Sequence, residues 1–240
     1  DQDWPEIGAK STFVSAVGEA ASAGLTVLPY FNPGGWSINI PSYSAQGVAA
    51  YACGQEAGGP RIYTVDNPVL NTAWHLVRPD PTFAFSRNHE KNVITTFLQN
   101  YGVGGVYYDF WSGLPAELCF NQNANHPQNG GNYWTQGKKQ LAKEASAYGK
   151  SLRSGFVLTS ESLDEHLIPG LDAMHYDPLS FFVPPNLLPV PLWGAVYHDY
   201  IPSGNLGQGF NSAAGDPVYT NLLMALDLIH GKFLSIGNWF

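Results

Sequence analysis

The chain has 240 residues, which is enough to bury one large core and fits a single α/β domain better than two small ones. Only 12% of the residues are charged, the formal net charge is -8, and no cluster of Lys and Arg occurs. This balance excludes the usual basis for binding nucleic acid or an anionic membrane surface, because both are held through basic side chains.

The uncharged polar composition is typical of secreted proteins that handle neutral polar ligands. The sequence is rich in Gly, Pro, Asn, Ser, Tyr and Trp, and no apolar run approaches the length of a membrane span. A signal peptide removed before Asp1 is compatible with this start of the chain. We therefore expect a secreted or extracytoplasmic protein.

Helix and strand patterns alternate from the first element onward. Residues 11–23 place apolar side chains on one helical face, and 25–32, "LTVLPYFN", form a short apolar strand with a polar end. The stretch from 33 to about 85 is rich in Gly, Pro and aromatic residues and is too long for a simple connection. We predict that it is a folded loop excursion, with a small strand in "RIYTVD".

The remainder repeats the alternation of strands and helices. In chain order the patterns predict a helix at 88–100, a strand at 105–109, a loop at 112–131, a helix at 133–149, a strand at 155–162, a short helix at 163–168, strands at 171–176 and 190–200, a helix at 216–229 and a last strand at 232–240.

Short apolar strands separated by helices indicate a parallel sheet covered on both faces. The predicted strands end in polar residues, namely Asn32, Asp109, Glu161, Asp177, Asp199 and Asn238. Such tips converge on one site in a TIM-type (β/α)8 barrel, which we favour over an open doubly wound sheet. Six strands are recognised where a barrel needs eight, so we expect two β/α units before Asp1; a misread strand in the excursion is the alternative. Residues 1–240 then form one catalytic domain.

Acidic residues at strand ends are the first candidates for chemistry. Asp109 and Glu161 could form the carboxylate pair of a glycosidase, one stabilising or attacking the sugar cation and the other protonating the leaving oxygen. Asp199, beside His198, could bind sugar hydroxyls or support Glu161. Acids at strand ends also cap helices or pair with basic residues, but the shortage of Lys and Arg weighs against that reading.

Aromatic and amide side chains near the strand ends are candidates for sugar binding. Rings stack on sugar faces, and Tyr30 is one of several rings near strand ends or in loops that could contact substrate. Trp36 and Trp111, each in a polar Gly-rich loop, are the better candidates for sugar platforms. Asn32 and His126, with His198, are plausible partners for hydroxyls. Ordinary core packing accounts for many such rings, and a single His is more often structural.

Metal chemistry is the runner-up. The seven His residues are scattered without H-x-H or H-E-x-x-H, and Cys53 and Cys119 do not form a metal-site pattern. These two cysteines could form a disulfide or remain as buried thiols. We expect neither a metal nor a cofactor, although a metal-dependent TIM-barrel hydrolase with its motif in the missing units stays an alternative.

Five motifs occur in order along the chain: "LTVLPYFN", "GVYYDFWS", "NHPQNGGNYW", "TSESLDEHLIPGLDA" and "VPLWGAVYHDY". In this order they resemble a bacterial family of glycoside-hydrolase-like barrels related to the endo-α-N-acetylgalactosaminidases and, more distantly, to the α-amylase-type retaining barrels. The resemblance implies that "LTVLPYFN" is strand three. It also implies a nucleophile at Asp109 on strand four, an acid/base at Glu161 on strand five, and a sugar-binding Asp199 on strand seven. This sequence departs from the family pattern in one place. The loop reads "NHPQNGG", whereas the resemblance leads us to expect a second His after the Pro.

The residues and the resemblance together predict a retaining glycoside hydrolase that acts on a polysaccharide or glycan. A cellulase-like endo-glucanase is compatible with the same residues. The alternative from another class is a non-catalytic carbohydrate-binding barrel or an inactive fragment, which would bind sugar without turnover.

Overall fold

The computed structural model of the protein describes residues 10–67, 72–109, 111–175 and 192–204, together with Ala225 and Leu228. In chain order its elements are α1 (Lys10–Ser22), β1 (Tyr30–Phe31), β2 (Trp36–Ser37), α2 (Pro41–Ala45), a 3₁₀ helix (Val48–Tyr51), β3 (Ile62–Asn67), β4 (Thr72–Val77), α3 (Ala84–Thr95), a π-helical turn (Thr96–Asn100), β5 (Gly105–Tyr108), α4 (Tyr133–Leu152), β6 (Val157–Glu161), a second 3₁₀ helix (Glu165–Gly170), β7 (Ala173–His175), α5 (Leu192–Tyr197) and β8 (Ser203–Gly204).

The main sheet is parallel throughout, with strand order β1-β5-β6-β7-β8. Apart from the excursion, neighbours in this sheet follow chain order, without the reversal that marks a doubly wound sheet. The prediction of a parallel α/β architecture is therefore confirmed. The five described strands form an open sheet, so closure into a barrel remains a prediction.

The excursion between β1 and α3 is folded, as the sequence predicts. Its three strands form an antiparallel sheet in the order β2-β4-β3, and "RIYTVD" supplies most of β3. A small apolar cluster that includes Trp36, Val48 and Val77 packs beneath this sheet. The excursion therefore has a core of its own beside the main sheet.

The two faces of the main sheet have different roles. Val106, Tyr108, Leu158 and Met174 point to one side and pack with buried residues of α3 and α4 into the principal core. Because side chains alternate along a strand, Tyr107 and the residues in step with it point to the opposite side. That opposite face carries the candidate site at its carboxyl edge.

The predicted strand at 190–200 is wrong. Residues 192–197 form α5, in which Trp193 and Tyr197, four residues apart, hold their ring centroids 4.4 Å from each other. A short apolar run has the same appearance in a buried strand and in a helix, so its pattern could not separate the two. The strand of this region is β8, a few residues later.

The first predicted strand is shorter than expected: within 25–32, only Tyr30 and Phe31 form a β-strand. The carbonyls of Val27 and Pro29 still accept hydrogen bonds from Gly104 and Tyr107, so the whole segment runs beside β5. Apart from Ala225 and Leu228, the predicted elements at 216–229 and 232–240, with Asp177 and Asn238, lie outside the described residues. Within the described ranges, no helix combines the length and apolar character needed to cross a membrane.

Candidate functional site

A row of polar residues crosses the carboxyl edge of the main sheet. The register pairs Phe31 with Tyr108 and Tyr108 with Ser160, so the next residue on each strand is Asn32, Asp109 or Glu161. Glu161 itself pairs with His175 on β7. Neighbouring strands lie about 4.8 Å apart, so these residues stand side by side. We call Asn32, Asp109, Glu161 and His175 the tip row.

Asp109 is buried, with 6% of its surface exposed, and its position is fixed by β1. Its backbone N–H donates to the carbonyl of Phe31 at 2.8 Å. Its Oδ2 accepts a hydrogen bond from the Tyr30 hydroxyl at 2.5 Å and another from Asn32 Nδ2 at 3.3 Å. The carboxylate is therefore oriented by two donors from the neighbouring strand.

These two donors are themselves constrained. The backbone N–H of Gly34 donates to Asn32 Oδ1 at 3.0 Å, which turns the amide nitrogen toward Asp109. Burial, followed by the hydrogen bond and charge of Asp109, raises the pKa of Tyr30 well above its usual value. The Tyr30 hydroxyl therefore stays protonated and donates its hydrogen bond to the carboxylate throughout the physiological pH range.

Tyr107 and His175 extend the site and were not among the residues singled out by sequence. The ring of Tyr107 meets that of His175 edge to face at 5.4 Å and tilts against that of Tyr30 at 6.2 Å. The Tyr107 hydroxyl is buried and has no hydrogen-bond partner among the residues that the structure describes. Burial, with the nearby charges of Glu161 and Asp109, raises the pKa of Tyr107 well above its usual value.

His175 is a neutral group in this row. Burial lowers its pKa to about 4, so the imidazole carries no charge near neutral pH. The sequence signal for both missed residues was present: Tyr107 lies two positions before Asp109 and so on the same face, and His175 lies at a strand end. The sequence pattern places the end of this strand at Asp177, two residues beyond His175.

The structure corrects the expectation of a sugar platform at Trp111. Only 1% of its surface is exposed, and its ring packs in the helix-side core against Tyr108. The Lys138 ammonium lies 5.7 Å from the ring centre on one side. No face of this ring is open to a ligand, because the residue turns toward the helices rather than toward the tip row.

Trp36 is also largely buried. Its indole nitrogen donates to Ser42 Oγ at 3.2 Å, and its ring lies 4.2 Å from that of His89. Trp36 borders a small cleft next to Asn32 that His89 and Glu90 also line. It is close to the tip row but presents no broad surface for stacking, which corrects the predicted exposed platform.

Asp199 and His198 lie away from the strand ends. They follow α5 in an exposed turn, where His198 Nε2 is 3.2 Å from Asp199 Oδ1 and the Asp199 side chain is 82% exposed. The prediction that Asp199 ends a strand is therefore wrong, because the segment before it is helical. The described contacts do not join this pair to Asp109 or Glu161.

His126 also lies apart from the tip row. Its side chain is only 4% exposed, its ring stacks on that of Tyr133 with centroids 3.7 Å apart, and its Nε2 is 2.7 Å from Asp80 Oδ2. Asp80 in turn contacts Cys119. His126 thus belongs to a second buried polar cluster, and the structure does not place it among the sugar-facing residues.

Comparison with known proteins supports the same fold. A Monosiga brevicollis protein, provisionally named a glycoside hydrolase, is 23% identical over 95% of this chain and 19% of its own length. The chain thus spans about a fifth of this curated relative. Two solved glycosidases are similar in structure. The Bifidobacterium bifidum α-N-acetylgalactosaminidase, in a complex with GalNAc, has a TM-score of 0.63 at 16% identity, covering 82% of this chain and 30% of its own.

The second is the Thermus thermophilus α-galactosidase in complex with p-nitrophenyl α-D-galactopyranoside, with a TM-score of 0.62 at 12% identity over 92% of this chain and 45% of its own. At these identities the likeness shows the fold, a mixed α/β architecture with a parallel sheet shared with TIM-barrel glycosidases. Residues 3–206 match the family described as "Domain of unknown function (DUF6259)", and the chain belongs to that family.

Proposed function

We propose that this chain carries the active site of a retaining glycoside hydrolase, with Asp109 as nucleophile and Glu161 as general acid/base. The observation that carries the proposal is the register of β5 and β6, which sets these two residues side by side on the same face of the sheet. Retaining enzymes hold their carboxyl groups about 5–5.5 Å apart, and inverting enzymes about 6.5–9.5 Å. Neighbouring positions on adjacent strands suit the shorter spacing.

The hydrogen bonds to Asp109 favour the nucleophilic role. Both donors, Tyr30 and Asn32, bind Oδ2, so Oδ1 is the oxygen available to attack the anomeric carbon. As the Oδ1–carbon bond forms, the bond to the leaving oxygen breaks and Glu161 transfers its proton to that oxygen. Glu161 then takes a proton from water, whose oxygen displaces Asp109 and releases the sugar.

Two other groups would contact the substrate. The Tyr30 ring is about half exposed, so its outer face could stack on a sugar while its hydroxyl holds Asp109. The Tyr107 hydroxyl has no partner in the described part of the chain and lies near both carboxylates, so a sugar hydroxyl could satisfy it. The substrate class we propose is an oligosaccharide or polysaccharide.

The test is a screen of polysaccharides and aryl glycosides for released reducing ends or aryl alcohol, run with wild type, Glu161→Gln and Glu165→Gln. Glu165 is an exposed glutamate four residues from Glu161 and serves as the matched control. We expect wild type and Glu165→Gln to release product. We expect Glu161→Gln to lose most turnover, and to lose least on aryl glycosides whose leaving groups need no proton.

Two results would overturn the proposal. Sugar binding without release from any substrate would make the domain a carbohydrate-binding module. Full turnover by Glu161→Gln on unactivated glycans would remove its role as the acid/base.

A further inference from the structure

A second cluster of reactive side chains lies where the excursion meets the loop after β5. The sulfur atoms of Cys53 and Cys119 and a carboxylate oxygen of Asp80 all lie within 4.8 Å of one another, and all three residues are completely buried. His126 adds a nearly buried imidazole, with Nε2 2.7 Å from Asp80 Oδ2. We call these four residues the Cys–Asp–His cluster.

Neighbouring groups point the donor atoms of this cluster inward. The backbone N–H and the hydroxyl of Thr82 donate to Asp80 Oδ1 at 2.9 and 2.7 Å, which leaves Oδ2 to face Cys119 Sγ at 3.8 Å. His126 Nδ1 lies 2.7 Å from the carbonyl of Pro127. An N–H on Nδ1 satisfies that carbonyl, so Nε2 is the nitrogen that faces Asp80, as an N–H donor or, once that proton is lost, as a metal-binding lone pair.

The outer contacts of His126 and Asp80 resemble those that support metal ligands in proteins. Histidines that ligate metals usually donate their other ring N–H to a carbonyl or carboxylate, and ligating carboxylates are themselves hydrogen-bonded. Pro127 and Thr82 supply these two contacts here. Without a metal, His126 can hold a proton on both ring nitrogens and pair with the Asp80 carboxylate as an imidazolium; a zinc ion would take the place of the proton on Nε2.

We propose that the Cys–Asp–His cluster is a structural zinc site in which Cys53 Sγ, Cys119 Sγ and Asp80 Oδ2, the three donors that already lie together, are ligands, and in which His126 Nε2 moves off Asp80 to become the fourth. Two thiolates with one nitrogen and one oxygen are a donor set suited to tetrahedral zinc. Bond lengths of about 2.3 Å to sulfur and about 2.0–2.2 Å to oxygen put these atoms about 3.5 Å apart in a tetrahedral site. The observed separation of Cys119 Sγ from Asp80 Oδ2 is 3.8 Å, close to this value. The 2.7 Å between His126 Nε2 and Asp80 Oδ2 is a hydrogen-bond distance, so the imidazole would shift away from the carboxylate when the ion enters. Binding releases the two thiol protons to solvent.

The site would join segments that are distant in sequence. Cys53 belongs to the excursion, Asp80 follows β4, and Cys119 and His126 lie in the long loop between β5 and α4. That loop begins just after Asp109, so the metal would anchor the chain that leaves the tip row. The four ligands share no short spacing, which is why the sequence alone indicates no metal.

A disulfide between Cys53 and Cys119 is the competing chemistry. Both cysteines are free thiols in the structure. A disulfide would need neither the buried carboxylate of Asp80 nor the imidazole of His126, whereas a zinc ion uses both. These two further donors favour the metal.

The first test is the metal content and thiol state of the purified wild-type chain. We expect about one zinc ion per chain by mass spectrometry of the elements, and two thiols that react in denaturant with chelator but without reductant. We also expect chelator to lower the unfolding midpoint and added zinc to restore it. Cysteines that become reactive only after reduction would overturn the site, as would free thiols with no uptake of added zinc.

The second test uses variants with a matched control. Cys119→Ser and His126→Ala should each lower the zinc bound per chain, whereas His166→Ala, at an exposed histidine outside the cluster, should retain about one ion. If the cysteine variant does not fold, wild type reconstituted with Co²⁺ decides the question. A thiolate-to-cobalt absorption band is expected, and its absence from a cobalt-treated wild-type chain would overturn the proposal.

Discussion

Asp109 is positioned by contacts that reach across from the neighbouring strand. Tyr30 and Asn32 stand two residues apart on one face of β1 and its extension, and both donate to the same carboxylate oxygen. An acid whose lone pairs are occupied on one oxygen presents the other in a defined direction, which is what an attacking group needs. The orientation of the Asp109 carboxylate therefore depends on Tyr30 and Asn32 as well as on the position of Asp109 in its strand.

Tyr30→Phe tests this positioning role. A hydrogen bond to a charged group contributes about 1.5–3 kcal/mol, so its loss should lower kcat about 10- to 100-fold with a smaller change in KM. Tyr200→Phe, at a largely exposed tyrosine, is the control and should leave kcat unchanged. Steady-state kinetics on the glycan found by the screen measures both variants. Unchanged kcat in Tyr30→Phe would show that the hydroxyl does not position the nucleophile.

At the scale of elements, α3 packs on β5 through an unusual acid. Glu90 is buried on α3 next to the hydroxyl of Tyr108, and burial raises its pKa to about 8. In the unfolded chain the carboxyl group of Glu90 has the ordinary glutamate pKa of 4.5. Between these values the folded state keeps the proton and the unfolded state releases it, so the stability from this group falls as pH rises from about 4.5 to about 8.

Glu90→Gln should remove this pH dependence. The amide resembles the protonated acid, so the variant should gain on wild type as pH rises, by up to roughly 1.4 kcal/mol per pH unit within that window. Urea unfolding at about pH 5 and about pH 8 gives the two free energies of unfolding for each protein. Glu56→Gln, at an exposed position, should follow wild type. Parallel curves for Glu90→Gln and wild type would contradict the raised pKa.

The start of β5 is closely packed against its neighbours. A methyl group at Gly105 would collide with the carbonyl oxygen of Val157 on β6 and come within 2.6 Å of a Leu28 methyl. Gly105→Ala should therefore lower the free energy of unfolding by about 1–3 kcal/mol or more. Gly155→Ala, where a methyl group meets only open space, is the control and should change it little. Urea unfolding measures both, and equal stabilities would show that β5 and β6 can separate at no cost.

How far the sequence predicts these elements depends on how local their signals are. Asp109 and Glu161 could be recognised from sequence because each is a polar residue that directly follows a short apolar run, and such a local pattern marks the end of a strand. The segment before Asp199 carried an apolar run that suits either a strand or a helix, and tertiary packing of Trp193 and Tyr197 made it α5. His126 was misplaced because a long loop gives no local sign of which cluster its side chains join.

In the molecule as a whole, the main sheet and the excursion carry different groups of functional candidates. The parallel sheet orders its strands so that their carboxyl ends form one edge, and the tip row lies on that edge. The excursion supplies a second sheet and two of the four residues of the Cys–Asp–His cluster. Sequence order alone predicted the parallel sheet, since alternating helices and strands allow little else. No comparable local pattern predicts that Cys53, Asp80 and Cys119, which are distant in sequence, lie close together in the fold.

The central claim is that Asp109 is the catalytic carboxylate of a glycosidase, and the most direct test is the turnover of Asp109→Asn on a glycan that wild type cleaves. The amide keeps the size of the side chain but cannot act as the nucleophile. We predict a loss of kcat on the order of a thousandfold or more with the fold intact by circular dichroism. Asp66→Asn, at an exposed aspartate on β3, should retain wild-type kcat. Turnover of Asp109→Asn close to that of wild type would contradict the account.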